Sequence, residues 1–346
     1  MKRNSSISCK VLYLWVSLSM LFTVTSNVYA KDSPTSERPM NLNYSWFGST
    51  TEPHTDVVKY LISEIDKRTK GRVKITYHPS ASLLSGPQSY DGVMKGISDM
   101  DFVVMAYTPS RFPLTFAWNL PLGIKSSTAA TRIYNESYKK FNPKELSGVK
   151  ILYIYGSPPC HLQTIKPLNT MADFKGMKIR CTGIGAEFVK QLGGTPVSMP
   201  MGQVFEALQK GIVEGTINSQ NVLRDYKFAE LVKYQYDWST YTVAFIAIMN
   251  KDKWESMPPD IQKVFEEIAP ECLSKDIELW DAAEDRARNF GLEHGMKFFQ
   301  PTSEMTQALS LARQPLYDDY VKNTKEKGLP GKEFLDELIR LTNKYK

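Results

Sequence analysis

Polar and apolar residues alternate through NLNYSWF (41–47), after which Val57, Val58, Leu61, Ile62 and Ile65 recur three and four apart until Gly71. The first spacing predicts a strand and the second a helix with one buried face. Val73, Ile75 and Tyr77 alternate as in a strand up to Pro79, a second helix is expected over about 87–97, and DFVVMAY (101–107) reads as a continuous apolar strand. This β-α-β-α-β opening favours a parallel sheet covered by helices on both faces.

A proline-rich passage containing RFP and NLP leads to another apolar strand at KILYIYG (150–156). SPPC (157–160) then reads as a stiff, extended connector, because a residue before proline is driven out of the helical region. Beyond it the alternation restarts: a strand near 161–166, MKIRC (177–181), a helix from about 185 closed by Gly193 and Gly194, TPVSM (195–199), a short helix ended by Gly211, and VEGTIN (213–218). YQYDWSTYTVAFIAIMN (234–250) has strand composition but exceeds one ordinary strand, so it is expected to run through both halves. From Pro258 to Phe290 the pattern is helical, with Ile261, Val264, Phe265 and Ile268 on one face, and two more helices end the chain. The expected fold is α/β, two domains with a cleft between them, crossed by one long strand and one long helix. The expected boundaries are 31–158 with 244–285, and 159–243 with 286–346. A cleft at a domain interface is a common place for a ligand.

The first thirty residues have a different character. Lys2, Arg3 and Lys10 precede or enter a mostly apolar run, Val11 to Val24, and Val28-Tyr29-Ala30 ends in a small-residue cleavage pattern, so 1–30 is expected to be a cleaved signal peptide. Those three residues are the only charged ones in the segment, and without them the formal net charge falls from +6 to +3. That balance argues against nucleic acid as a partner. No later run of about 18 uncharged apolar residues occurs, so the remainder is expected to be soluble. Of four cysteines, Cys160, Cys181 and Cys272 lie outside the leader; a Cys160 to Cys181 bridge and free buried thiols both stay open.

Candidate chemistry is sparse. Gly183-Ile184-Gly185 opens like a dinucleotide loop, but Phe188 stands where that fingerprint needs Gly or Ala, and no GxxxxGK[ST] occurs. His54, His78, His161 and His294 are scattered without metal-ligand spacing, and there is no GxSxG elbow, so neither an enzyme nor a cofactor or metal is expected. Arg180, ending a strand beside Gly183 and Gly185, suits a carboxylate held by a guanidinium fork next to a helix N-terminus. Spacing alone leaves an ordinary surface arginine equally open. Trp46, Phe47, Tyr107, Trp118, Trp238 and Tyr241 fall at strand ends or in the crossing stretch, where they could line a cleft or pack in the core.

NTMADFKGMKIR, LGGTPVSMPMGQVFEALQKGIVEGTIN, YHPSASLLSGPQSYDGVMKGISDMDF and NKDKWESMPPDIQKVFEE together resemble the solute-binding proteins of tripartite ATP-independent periplasmic (TRAP) transporters. The resemblance covers most of the chain after the leader. It implies a periplasmic, hinge-closing receptor, expected to be monomeric, that captures a small organic anion and hands it to integral membrane subunits. It also implies that Arg180 grips the substrate carboxylate, that Asn218 contacts ligand, that Tyr107, Arg111 and Met201 lie near the cleft, and that Gly183 stands where some members have a polar contact. Some members carry a second arginine where this chain has Cys160, followed by His161. That substitution, with the aromatics Trp46, Trp238 and Tyr241, points to a monocarboxylate with an apolar or aromatic body. A small sulfonate, a dicarboxylate, or an exported α/β enzyme acting on an organic acid are the alternatives.

Overall fold

A computed structural model describes residues 33–346, so the expected leader lies outside the described residues. The chain first lays down β1 (Met40–Ser45), β2 (Val73–His78), β3 (Met100–Val104) and β4 (Val149–Gly156). It then builds β5 (His161–Thr164), β6 (Lys178–Cys181), β7 (Thr195–Ser198), β8 (Gly215–Asn218) and β9 (Tyr234–Tyr236). Finally β10 (Ala244–Asn250) returns to the first group and β11 (Lys297–Phe299) joins the second. The two sheets run β2-β1-β3-β10-β4 and β11-β9-β5-β8-β6-β7. Each carries its own helices, giving two α/β lobes.

Neither sheet is wholly parallel as expected. β1 pairs parallel with β2 and β3, but β10 lies antiparallel between β3 and β4. In the second sheet β5 runs antiparallel to both β8 and β9. Both departures come from strands that cross between lobes and enter the sheet from the opposite end. The 234–250 stretch does pass from one sheet to the other, as two short strands, β9 and β10, joined by an irregular link. All seven residues of β10 are buried, as a central strand requires.

The strand expected over 101–107 stops at Val104, and Met105–Tyr107 tightens into a 3-10 turn. A helix, Ser127–Phe141, was not foreseen in the passage before β4; it buries Ala129, Ala130, Ile133, Tyr134 and Ser137, and Ser126 caps it by accepting from the Ala129 N–H. The long helix Pro259–Glu293 has 35 residues, about 52 Å at 1.5 Å per residue. It packs on the helix His54–Arg68 and on β4 in the first lobe, and on Val222–Asp225 in the second. Asp276, near its middle, accepts from the Tyr153 hydroxyl at 2.8 Å and pairs with His54 Nδ1 at 2.9 Å, while His54 Nε2 meets the Tyr44 hydroxyl. The last helix, Gly331–Lys344, packs on Ser127–Phe141 of the first lobe, although 286–346 was expected to belong wholly with the second. Cys160, Cys181 and Cys272 are all buried free thiols, so no Cys160 to Cys181 bridge is present.

Candidate functional site

Ile179 and Cys181 of β6 enter the apolar core, and strand alternation therefore turns Arg180 to the other face. There the guanidinium is only 2% exposed. Its Nε and Nη2 donate to the Met199 carbonyl at 3.2 and 2.9 Å, and Nη1 donates to Asn218 Oδ1 at 3.0 Å. Asn218 is itself fixed, its amide donating to Thr216 Oγ1. A guanidinium has five N–H donors, so two remain beyond these three bonds. No acidic side chain forms an ion pair with Arg180 among the described residues. A buried, uncompensated cation is costly unless an anion joins it.

Arg180 lines an interlobe cavity of about 50 Å³. At roughly 10–15 Å³ of free space for each water this holds about three to five waters, or roughly 90–150 Å³ of displaced liquid, which suits a compact ligand. The second lobe supplies Cys160, Arg180, Thr182, Met201, Asn218, Ser219, Asn221 and Val222; the first supplies Phe47, Glu52, Val104, Tyr107, Ser157, Val243, Phe245 and Trp280. The wall is thus polar on the Arg180 side and largely aromatic opposite. Tyr107 spans the two: its hydroxyl accepts from the Met201 N–H at 3.2 Å. Burial pushes the Tyr107 pKa up, and the neighbouring Arg180 charge opposes that shift. The Cys160 thiol is likewise driven up by burial, so it stays neutral and cannot serve as a second cationic or anionic contact.

Not every residue singled out from the sequence reaches the cavity. Trp46 is fully buried against Phe47, His54 and Phe102. Arg111 pairs with Asp91 at 2.8 Å and lies over the Tyr90 ring. His161 accepts from the Ser239 N–H, and burial lowers its pKa to about 4. Trp238 donates to the Met305 carbonyl and packs on Phe188. Tyr241 is buried with its hydroxyl packed directly against Gly185, where a Cβ would collide with it. Gly183 holds φ +52° and ψ −124°, and the Gly185 N–H bonds the Thr182 carbonyl, so 182–185 form a tight turn whose first corner needs φ above zero. The N–H groups of Gly185 and Ala186 are consumed within this turn, and Thr182 faces the cavity instead of the helix N-terminus expected beside Arg180.

Several lining residues were not singled out from the sequence, among them Glu52, Phe245 and Trp280. Glu52, in the loop after β1, is 6% exposed and accepts from the Tyr226 hydroxyl of the opposite lobe at 2.9 Å. Burial, reinforced by Asp225, raises its pKa to about 8. Phe245 and Trp280 sit in β10 and the long helix, where apolar patterning makes them look like ordinary core; Glu52 has no sequence signal beyond being a lone acid before a helix. Around the mouth, Thr51 Oγ1 donates to the Asp225 carbonyl at 2.9 Å, and the Ser49 N–H donates to the Tyr226 hydroxyl at 3.3 Å, completing a hydrogen-bonded seam.

Among known proteins, a family model described as bacterial extracellular solute-binding protein, family 7, matches residues 43–324. A TRAP periplasmic solute-binding protein from Desulfovibrio salexigens is 32% identical, with a TM-score of 0.77 over 89% of this chain and 97% of that one. A marine metagenome TRAP solute-binding protein, specific for aromatic acid ligands and crystallised with 3-hydroxybenzoate, is 27% identical, with a TM-score of 0.83 over 89% and 99%. The C4-dicarboxylate-binding periplasmic protein of Rhodobacter capsulatus is 22% identical over 87% of this chain and 92% of its own. No helix among the described residues is long and apolar enough to cross a membrane. The matched span, the two crossed lobes and the arginine in the cleft agree: this chain belongs to the family 7 bacterial extracellular solute-binding proteins, the binding component of TRAP transporters.

Proposed function

We propose that this protein captures a compact monocarboxylate with an apolar or aromatic body in the periplasm, by closing its two lobes, and delivers it as a monomer to the membrane subunits of its transporter. The observation that carries this reading is the buried guanidinium of Arg180, held in place by two neutral acceptors and facing the cavity with no counter-ion among the described residues. A carboxylate would accept its two remaining N–H groups as a bidentate pair. Phe47, Tyr107, Phe245 and Trp280 on the opposite wall would cover an apolar body. The closing parts are the two lobes, each built on its own sheet, with the last helix riding on the first lobe. Residues 1–30 serve as the export signal.

Cys160 lies in the cavity wall where a second arginine would be needed for a second acidic group. This favours monocarboxylates over dicarboxylates. A thermal-shift panel of aromatic and aliphatic monocarboxylates, dicarboxylates and small sulfonates, with native mass spectrometry of any co-purified molecule, tests the reading. Compact monocarboxylates should give the largest shifts; a panel led by dicarboxylates or sulfonates, or chemical conversion of the bound acid, would overturn it.

A further inference from the structure

One face of the second sheet carries a row of polar side chains that the carboxylate grip does not by itself explain. Ile179, Ile217, Leu162 and Tyr236, of β6, β8, β5 and β9, enter one apolar core, so strand alternation puts Arg180, Thr216, Gln163 and Gln235 on the opposite face. The register sets these four side by side: Arg180 opposes Thr216, Thr216 opposes Gln163, and Gln163 opposes Gln235. None of them is more than 2% exposed. Polar groups abreast in a closed face are costly unless hydrogen bonds satisfy them.

The two ends of the row fix the direction of those bonds. Arg180 has only donors, so Asn218, two residues along β8 from Thr216, must turn Oδ1 to Arg180 Nη1, at 3.0 Å, and its NH2 to the Thr216 hydroxyl. At the far end the Asp237 carboxylate, paired with Arg288 at 3.1 Å, only accepts. Gln235 therefore turns its NH2 to Asp237 Oδ1 at 2.9 Å and to Gln220 Oε1, while its own Oε1 accepts from the Gln163 NH2 at 3.1 Å. Left over are the hydrogen of the Thr216 hydroxyl and the buried Gln163 Oε1, which has no partner among the described residues. These two sit on directly opposed residues, whose Cβ atoms lie about 4.5–5.5 Å apart in such a pair.

We infer that Thr216 is a positioning residue for the ligand arginine: its hydroxyl accepts from Asn218, donates toward Gln163 Oε1, and so holds the Asn218 carbonyl on Arg180 Nη1. The row then runs donor to acceptor in one direction, from the Arg180 cation through Asn218, Thr216, Gln163 and Gln235 to the Asp237 carboxylate, and each bond polarises the next. With Met199 and Asn218 both in place, the two N–H groups of Arg180 left free are one on Nη1 and one on Nη2, the pair that a carboxylate accepts side by side. Neither Thr216 nor Gln163 lines the cavity, so their effect on the ligand passes through Asn218 and Arg180. This rests on the reading that Arg180 holds the carboxylate.

A double-mutant cycle read by calorimetry tests this, with whichever of benzoate, phenylacetate, lactate and pyruvate binds wild type most tightly. Thr216→Val keeps the side-chain shape and removes the hydroxyl; it should raise the dissociation constant roughly five- to fiftyfold, because the Asn218 amide loses its partner. Thr216→Ser should stay within about threefold of wild type, since it restores the hydroxyl. In an Asn218→Ala background Thr216→Val should change affinity by less than about threefold, a coupling that a general loss of packing does not produce. Gln163→Met should weaken binding in the same direction and fall silent in the same background, and this second cycle decides if Thr216→Val does not fold. Wild-type affinity in a folded Thr216→Val protein, a loss that serine does not repair, or an equal loss with and without Asn218 overturns the positioning role and leaves Arg180 as anchor. Unchanged affinity in Gln163→Met overturns the row beyond Thr216. Arg180→Ala with wild-type affinity, or wild type that binds none of the four acids, overturns the grip itself and this inference with it.

Discussion

Tyr226→Phe isolates the contribution of lobe closure, because it removes one oxygen at the seam and nothing from the cavity wall. The Tyr226 hydroxyl donates to Glu52 at 2.9 Å and accepts from the Ser49 N–H at 3.3 Å, and both partners belong to the other lobe. In an open cleft water satisfies all three groups, so the loss falls on the closed, ligand-bound form alone. The 2.9 Å bond carries most of it: its removal strands Glu52 Oε2 in a buried position, at about 1–3 kcal/mol. The longer Ser49 contact adds little. At about 1.4 kcal/mol per decade, the dissociation constant of the best-binding carboxylate should rise roughly five- to 150-fold. Titration calorimetry on wild type and variant gives that ratio, and thermal unfolding without ligand should differ little between them. An unchanged dissociation constant, or an equal loss of stability in the unliganded protein, would refute the claim that this bond forms only on closure.

Other perturbations have equally definite outcomes. Glu52 is held at about 8 in the closed seam against an ordinary 4.5, with Asp225, Tyr226, Tyr107 and Tyr77 around it. Closure therefore takes up a proton: its support is complete below the open-form value and is lost as pH rises through the closed-form value, by up to about tenfold in affinity per pH unit between them. Calorimetry at neutral pH in buffers of different ionisation enthalpy should show proton uptake that Glu52→Gln abolishes, and no uptake in wild type would contradict this. Asp276→Ala should lower unfolding stability by about 3–5 kcal/mol, since it leaves His54 and the Tyr153 hydroxyl buried without their partner; urea midpoints report it, and a loss below 1 kcal/mol would count against a structural role for the pair. Gly183→Ala should cost about 1–3 kcal/mol, because an L side chain at φ +52° is strained and its Cβ would meet Ala106 at 3.0 Å; wild-type stability in the variant would show that the turn relaxes freely.

Local patterning made much of this architecture legible. The alternations at 41–47 and 73–77, the helical spacing of Val57 to Ile65 and the glycines closing the short helices all mark real elements, because each buries one apolar face in a core of its own lobe. Sheet order was not legible, since the place of β10 between β3 and β4 depends on a chain return from nearly ninety residues away. The helix Ser127–Phe141 was hidden by alanine, threonine and serine on its buried face, which give little hydropathy contrast. At the site, Arg180, Asn218, Tyr107, Cys160 and Met201 share one cavity, whereas Trp46, Arg111, His161, Gly183, Trp238 and Tyr241 do not line it. An aromatic at a strand end looks the same in sequence whether it packs inward or lines a cleft. Glu52 was invisible for a related reason: an acid near the start of a helix is usually solvated surface, and only the approach of the second lobe buries it.

The central claim is that the buried Arg180 guanidinium, which has no counter-ion among the described residues, is the carboxylate anchor. Titration calorimetry of Arg180→Ala against wild type, using the acid that gives the largest thermal shift, tests it most directly. Loss of a buried, hydrogen-bonded charge pair should cost about 2–5 kcal/mol, a roughly thirty- to several-thousandfold rise in dissociation constant, with the unliganded fold intact by circular dichroism. Affinity retained within threefold in a folded Arg180→Ala protein would contradict the account.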